Sequence, residues 1–212
     1  MKGNKFFVIA ILALAAIGFA VFKFSYQDQQ QSDAPQVASS DLIKEHSPSL
    51  GPVDAPVQIV EFLDPECEAC RALDPMVKGL MKQYEGKVRL VVRYMPFHGN
   101  SLLAATSLEE ARDQGKYWEA LSTLFYYQPQ WGDHHNPKPE LIAKYLIDLG
   151  IKPETLKEAS LMQKHKWKVD LDFEDGKKVG VKATPTFFIN GKMLTEIGYE
   201  PLKKAIESEL SK

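Results

Sequence analysis

The chain has 212 residues, of which 44% are hydrophobic and 25% charged, and its formal net charge at pH 7 is -2. This composition is typical of one globular domain, with at most an inserted sub-domain. Because the charge is nearly balanced and basic runs are absent, the chain lacks the electrostatic features of a nucleic-acid-binding protein. We therefore expect no nucleic acid among its partners.

The N-terminal segment, residues 1–24, carries an uninterrupted apolar run at residues 6–22, with Lys2 and Lys5 before it and Lys23 after it. The run exceeds the ~7–15 apolar residues of a signal peptide and falls short of the ~20 of a full membrane span, so cleavage and retention both stay open. Bulky residues around the small-x-small site at residues 18–20 favour an uncleaved anchor. The lysines keep the N terminus in the cytoplasm and send the body across the membrane. We therefore predict export to the periplasmic or extracytoplasmic side, with residues 6–22 anchored in the inner membrane.

Residues 25–46 are predicted to form a flexible tether, because residues 25–40 are rich in Gln, Ser, Asp and Ala and contain almost no large apolar side chain. The folded domain is predicted to occupy residues 47–212. An exported location permits disulfides, which gives significance to the cysteines of this domain.

The only two cysteines, Cys67 and Cys70, stand three residues apart between a β-branched run at residues 57–63 and an apolar pattern of helical period at residues 69–84. They therefore lie where a strand leads into a helix. The helix N terminus stabilises a thiolate at Cys67, which lowers its pKa from ~8.5 to roughly 3.5–7.5. Cys70, one turn further, is placed to resolve a mixed disulfide. The spacing favours a redox dithiol.

Three other interpretations of the cysteine pair remain open from the residues alone. A structural disulfide would close so short a loop that it would add little stability. Half of a zinc site would need two more ligands from the five histidines or the carboxylates. Accidental spacing is the third.

A second β-branched run, residues 87–94, follows the predicted helix, so that the two strands form a parallel βαβ unit. Residues 100–180 then show helical patterns, and Pro153 is predicted to open one of these helices. Residues 128–137 are predicted to be a long irregular loop, in which His134 and His135 are solvated rather than metal ligands. His98 is ambiguous, and His165 is expected on a solvated helix face.

The C-terminal part begins with an apolar strand, residues 183–189, that contains Thr184-Pro185. Asn190-Gly191 predicts a tight hairpin turn to a second strand at residues 192–197. A final amphipathic helix is predicted at residues 200–210.

The dithiol at a strand end, Thr184-Pro185 at a strand start and the hairpin–helix ending together resemble a thioredoxin fold. The helical insert at about residues 100–180 makes the chain similar to the DsbA-like thiol:disulfide oxidoreductases, from about residue 47 to residue 210. The resemblance implies an α/β fold with a mixed central sheet flanked by helices and an inserted helical sub-domain.

The resemblance also implies roles for five residues. Cys67 is expected to be the nucleophile and Cys70 the resolving thiol. Thr184, preceding a cis Pro185, would offer backbone hydrogen bonds to substrate. Glu61 holds the place of a buried acid, and burial beside Val60 and Phe62 would raise its pKa and fit it to carry the proton of the resolving thiol.

The chain departs from the best-known oxidants of this family between the cysteines, where Glu68-Ala69 replaces Pro-His. The loss of the histidine and the charge of Glu68 should both raise the pKa of Cys67 and make the disulfide less oxidising, while Arg71 offsets part of this effect. The direction of net electron flow therefore stays open.

The leading hypothesis is an exported, membrane-tethered oxidoreductase that exchanges disulfides with cysteines of other exported proteins. It needs a membrane redox partner that resets the dithiol, and no cofactor or metal beyond its own Cys67–Cys70 disulfide. The alternative is a non-enzymatic thioredoxin-fold module that binds copper through soft thiolates, or serves as an adaptor. The sequence does not identify the substrate, the redox partner or the oligomeric state.

Overall fold

The computed structural model describes residues 18, 19, 22 and 36–212. The chain divides into two units, residues 1–36 and 37–212, and all elements named below belong to the second. The predicted signal or anchor segment therefore lies outside the described residues, apart from Gly18, Phe19 and Phe22. Among the described residues, no helix combines the length and apolar character that a membrane span requires.

Five strands form one sheet in the order β1-β3-β2-β4-β5. They are β1 (Ser49–Leu50), β2 (Val57–Leu63), β3 (Val88–Tyr94), β4 (Thr186–Ile189) and β5 (Lys192–Met193). Only β2 and β3 run parallel to each other, and every other pairing is antiparallel. This is the predicted mixed sheet with its parallel βαβ unit.

Seven α-helices accompany the sheet in the described chain. They are α1 (Ser39–Leu42), α2 (Glu68–Gln83), α3 (Ser101–Asp113), α4 (Tyr117–Trp131), α5 (Glu140–Asp148), α6 (Glu158–Lys178) and α7 (Tyr199–Leu210). Helices α3 to α6 form the predicted insert between β3 and β4, and α7 follows the hairpin. The α/β architecture with an inserted helical layer is thus confirmed.

The central strand β2 is buried on both faces, which explains why its sequence is apolar almost throughout. Val57 and Ile59 face a core that includes Val77 and Leu80 of α2 and Leu202 of α7. Val60 and Phe62 face the opposite side, where α6 lies across the sheet. Gly176 of α6 has no room for a Cβ, since Phe62 and Met95 would meet it, so glycine permits the close packing of helix on sheet.

The Asn190-Gly191 hairpin is confirmed, with both residues at positive φ, 44° and 85°. The strand after it is shorter than predicted: β5 ends at Met193 rather than residue 197. Pro153 opens a short 3₁₀ turn, Pro153–Thr155, and the α-helix begins only at Glu158.

The predicted irregular loop at residues 128–137 was wrong in its first part. Helix α4 continues through Pro129 to Trp131, whose indole Nε1 donates to the carbonyl oxygen of Leu124 over 2.8 Å. Burial of this large side chain holds the last turn of the helix in place.

The predicted tether, residues 25–46, also ends earlier than expected. Residues 25–35 lie outside the described residues, whereas the chain from Val37 onward belongs to the compact unit. Leu42 is buried in the core, and its carbonyl oxygen accepts a hydrogen bond of 2.7 Å from Arg93 Nη1. The tether was predicted from the composition of the preceding residues, which does not reveal that Leu42 is buried.

Candidate active site

The cysteine pair lies at the carboxyl end of β2, where the chain turns into α2. In the turn, the backbone N–H of Cys67 donates to the carbonyl oxygen of Asp64 over 3.1 Å, and Asp64 Oδ1 accepts from the backbone N–H of Glu66 over 2.8 Å. Cys67 is the N-cap residue of α2 and is 8% exposed, while Cys70 is fully buried in the first turn. The structure thus places both cysteines as the sequence predicted.

The environment of Cys67 favours its thiolate. A hydrogen bond from the Cys70 side chain is the main cause, with further help from the Thr184 side chain and the backbone N–H groups of Cys70 and Ala69. Burial acts in the opposite direction, yet the pKa of Cys67 falls to about 5. The carbonyl oxygen of Thr184 lies 3.4 Å from Sγ and accepts a hydrogen bond only from the protonated thiol. Cys67 is therefore a thiolate at neutral pH.

The environment of Cys70, in contrast to that of Cys67, favours the protonated thiol. Burial raises its pKa far above that of a free thiol, and its hydrogen bond to Cys67 and the negative charge of Glu61 act in the same direction. Such a thiol attacks a disulfide only after it gives its proton to a nearby base.

Glu61, predicted to be a buried acid, is 5% exposed on β2. Burial raises its pKa to about 8, with smaller contributions from Asp74 and Cys67 and an opposing one from Lys78. Lys78 and Asp74, both on α2, form an ion pair over 2.7 Å. Together with Glu61 they line a cavity of about 10 Å³. That volume is near the lower limit for one water molecule. A carboxyl group with this pKa exchanges protons near neutral pH.

Thr184 and Pro185 form the second predicted part of the site. Their peptide bond is cis. Because Thr186 pairs with Phe62 in the β2–β4 ladder, the two preceding residues stand beside the dithiol turn. The sequence-predicted residues Cys67, Cys70, Glu61, Thr184 and Pro185 therefore come together.

The structure adds a histidine that the sequence left ambiguous. Asp64 is fully buried, and its Oδ2 lies 2.7 Å from His98 Nδ1 and also accepts the backbone N–H groups of Phe97 and His98. Although burial opposes it, the hydrogen bond and charge of Asp64 raise the pKa of His98, and the charge of Cys67 adds to the effect. His98 thus interacts electrostatically with Cys67, although no histidine stands between the cysteines.

Glu68 has a partner that the sequence did not reveal. Its Oε1 lies 2.9 Å from Nε2 of His134, whose ring is 5.5 Å from that of His98. A backbone hydrogen bond within Glu68 and the charge of His134 lower the pKa of Glu68. His134 was predicted to be a solvated loop residue. It is half-exposed, but it contacts Glu68, which lies between the two cysteines. Long-range contacts of this kind leave no local pattern in a sequence.

One cluster in the described chain has three side chains that could ligate a metal: Glu110, Asp113 and His165. Lys164 Nζ already lies 2.8 Å from both carboxylates, so a cation is present there. The prediction for His165 was wrong, because it is 1% exposed and lies 3.0 Å from Glu110. The neighbouring lysines suggested a solvated face, and its acidic partner comes from another helix.

The fold and the site define a dithiol–disulfide exchange protein. A family model described as thioredoxin matches residues 44–208. Disulfide bond formation protein D of Bacillus subtilis (strain 168) is 33% identical over 176 residues, covering 77% of this chain and 77% of that protein. The crystal structure of oxidised BdbD from Bacillus subtilis has a TM-score of 0.72 at 29% identity and covers 84% of this chain and 98% of that chain. The chain belongs to the thioredoxin family and is a DsbA-like thiol:disulfide oxidoreductase.

A Na(+)/H(+) antiporter NhaA of Herminiimonas arsenicoxydans is 28% identical over 193 residues. These residues are 88% of this chain but 30% of the antiporter. The chain therefore spans less than a third of that protein, and ion transport does not follow from the likeness.

Proposed function

We propose that the protein is exported and introduces disulfides into other exported proteins. The observation that carries the direction is the pKa of Cys67, about 5, beside a buried Cys70. A stabilised thiolate favours the reduced form of the dithiol, which makes its disulfide a good oxidant. The absence of a histidine between the cysteines was expected to raise the pKa of Cys67, and the hydrogen bonds to Cys67 offset that effect.

The reaction begins with the Cys67–Cys70 disulfide. A substrate thiolate attacks Sγ of Cys67, which forms a mixed disulfide and releases Cys70 as a thiolate. Glu61 supplies the proton that Cys70 takes up, and recovers one from solvent. A second substrate thiolate then attacks the substrate sulfur, so that the substrate leaves oxidised and Cys67 leaves as a stable thiolate. Thr184 and Pro185 hold the substrate backbone beside Cys67 during both steps.

Two electrons thereby pass from substrate to the dithiol, and a membrane redox partner that accepts them must restore the disulfide. We propose that residues 6–22 export the domain and tether it to the outer face of the inner membrane, where such a partner resides. The support is the apolar run with its flanking lysines. Fractionation of cells should recover the full chain with membranes and accessible to protease from outside; a cytoplasmic full-length chain would contradict the proposal.

Single-cysteine variants test the roles of the thiols. Cys67→Ser and Cys70→Ser should each abolish oxidation of a reduced protein substrate, because neither can form the Cys67–Cys70 disulfide. With a substrate that carries a disulfide, Cys70→Ser should accumulate a mixed disulfide at Cys67, since the thiol that resolves it in that direction is absent. The species are separable by non-reducing electrophoresis and mass spectrometry. Full activity in both variants would refute the dithiol mechanism. Stoichiometric copper in purified protein that lacks insulin-reducing and dithiol-oxidising activity would favour a copper-binding module instead.

A further inference from the structure

A polar groove opens beside the dithiol, on the side of the helical insert. It has a volume of about 240 Å³ and is lined by residues that include Glu68, Arg71, Gln128, Gly132, Asp133 and His134. This is less than the 300 Å³ at which pockets for whole small molecules typically begin, so the groove suits a side chain. Gln128 connects it to the reacting centre, because its Nε2 donates to the carbonyl oxygens of Cys67 and Pro65 over 3.1 and 2.9 Å.

The groove contains one cation without a counter-charge. The guanidinium of Arg71 makes no hydrogen bond or ion pair with any described residue, and its Nε is buried without an acceptor. Gln128, which is 1% exposed, likewise has its Oε1 buried without a donor. Buried polar atoms in native proteins are normally satisfied, so the Nε of Arg71 points to a missing acceptor, whereas Oε1 of Gln128 would need a donor.

The other charges of the groove already have partners. Glu68 is paired with His134, and Oδ1 of Asp133 accepts the backbone N–H groups of His135 and Asn136 over 2.7 and 3.1 Å. His135 is exposed at the rim. Asp133 keeps its negative charge, so it opposes an incoming anion, whereas Arg71 attracts one. A carboxylate suits the planar guanidinium, which binds it through two parallel hydrogen bonds.

We propose that this groove is a specificity subsite for an Asp or Glu side chain of the substrate, within about three residues of its reacting cysteine, a reach of ~10 Å in extended chain. The proposal rests on the proposed function, since the mixed disulfide at Cys67 brings the substrate chain to the groove. The substrate then runs from Thr184-Pro185 across Cys67 towards Arg71. The chain thereby selects substrates by charge as well as by their cysteines.

The test uses the oxidised full-length protein and two-cysteine peptides that differ only in Glu or Gln at one position beside a cysteine. The rate of peptide oxidation is divided by the rate with oxidised glutathione, which corrects for the effect of Glu on the peptide thiol. We expect the corrected Glu/Gln ratio to be about three to ten and to fall with added salt. In Arg71→Gln it should fall to about one, and in Asp133→Asn it should rise, because a like charge is removed.

The ratio separates recognition from reactivity, because any effect of Arg71 on the pKa of Cys67 changes both peptide rates alike. Lys82→Gln, the same loss of charge at an exposed position of α2, is the matched control and should keep the wild-type ratio. A corrected ratio of one in the wild type, with both peptides oxidised, overturns the subsite alone. If neither peptide is oxidised, the proposed function is overturned. An equal ratio in Arg71→Gln and Lys82→Gln also overturns the subsite.

Discussion

The reactivity of Cys67 depends mainly on neutral hydrogen-bond donors that converge on one sulfur. The side chain of Cys70, the side chain of Thr184 and the first backbone N–H groups of α2 all favour the thiolate. The sequence showed the helix N terminus, but it could not show that Thr184, 117 residues further along the chain, lies beside Sγ. Such donors lose no protons near neutral pH, so they stabilise the thiolate over the whole physiological range.

Replacing Thr184 with Val should therefore raise the pKa of Cys67. A hydrogen bond to a charged group contributes ~1.5 kcal/mol or more, which corresponds to about one pKa unit. The measurement is a titration of thiolate absorbance in the reduced protein. Thr186→Val is the matched control, because Thr186 Oγ1 donates to the carbonyl oxygen of Ala183 and not to Cys67. Equal pKa values for Cys67 in the wild type and Thr184→Val would contradict this assignment.

At the scale of elements, α6 is held to the sheet by charged side chains inside the protein. Arg93 of β3 is fully buried, and its Nε and Nη2 lie 2.6 and 2.9 Å from Asp172 and Asp175. Asp172 also accepts the backbone N–H of Tyr94 over 3.0 Å and lies 2.8 Å from His46. This cluster joins α6, β3 and the segment before β1, so the helix is fixed by ion pairs as well as by apolar contacts.

Removing the carboxylate of Asp172 should destabilise the protein strongly. Asp172→Ala leaves the Arg93 guanidinium buried and partly unpaired, which costs ~3–5 kcal/mol of unfolding free energy. Asp170→Ala, on the exposed face of the same helix, removes only an ion pair with Lys166 and should cost less than ~1 kcal/mol. Urea unfolding of both oxidised variants measures the difference. Similar losses would show that the buried cluster contributes no more than a surface pair.

At the scale of the whole molecule, the sequence predicted what depends on local pattern. Periodicity predicted the βαβ unit, the helical insert and the final helix, and Asn190-Gly191 predicted the hairpin. It missed what depends on distant partners, such as the burial of Lys168 and Asp172 on α6. Charged residues are normally placed outside unless paired, and a pattern does not reveal the pair.

The free energy of unfolding depends on pH through the titration of Cys67 and of Glu61. In the reduced form between about pH 5 and 8, folded Cys67 has lost a proton that the unfolded chain keeps, so its contribution to stability rises with pH. Glu61 keeps a proton up to about pH 8 that the unfolded chain loses near 4.5, so its contribution falls with pH. The two slopes cancel. The disulfide form has no thiol, and only the falling contribution of Glu61 remains.

The reduced protein should therefore gain stability over the oxidised protein by up to ~1.4 kcal/mol per pH unit across this window, as measured by urea unfolding of both forms at several pH values. Groups that titrate alike in both forms drop out of the difference. Parallel pH profiles for the two forms would contradict the lowered pKa of Cys67.

Glu61→Gln examines the other half of this linkage. Because the glutamine does not titrate, the falling contribution of Glu61 is lost, and the slope of stability against pH should become more positive in both redox forms by up to ~1.4 kcal/mol per pH unit. The reduced–oxidised difference should persist. The change should extend over a narrower pH range in the oxidised form, since the Cys67 charge that helps to raise the pKa of Glu61 is absent there. Unaltered slopes would mean that Glu61 is ionised throughout and cannot carry the proton of Cys70. A changed slope together with slower formation of the mixed disulfide, the step in which Cys70 takes up its proton, would assign that proton transfer to Glu61.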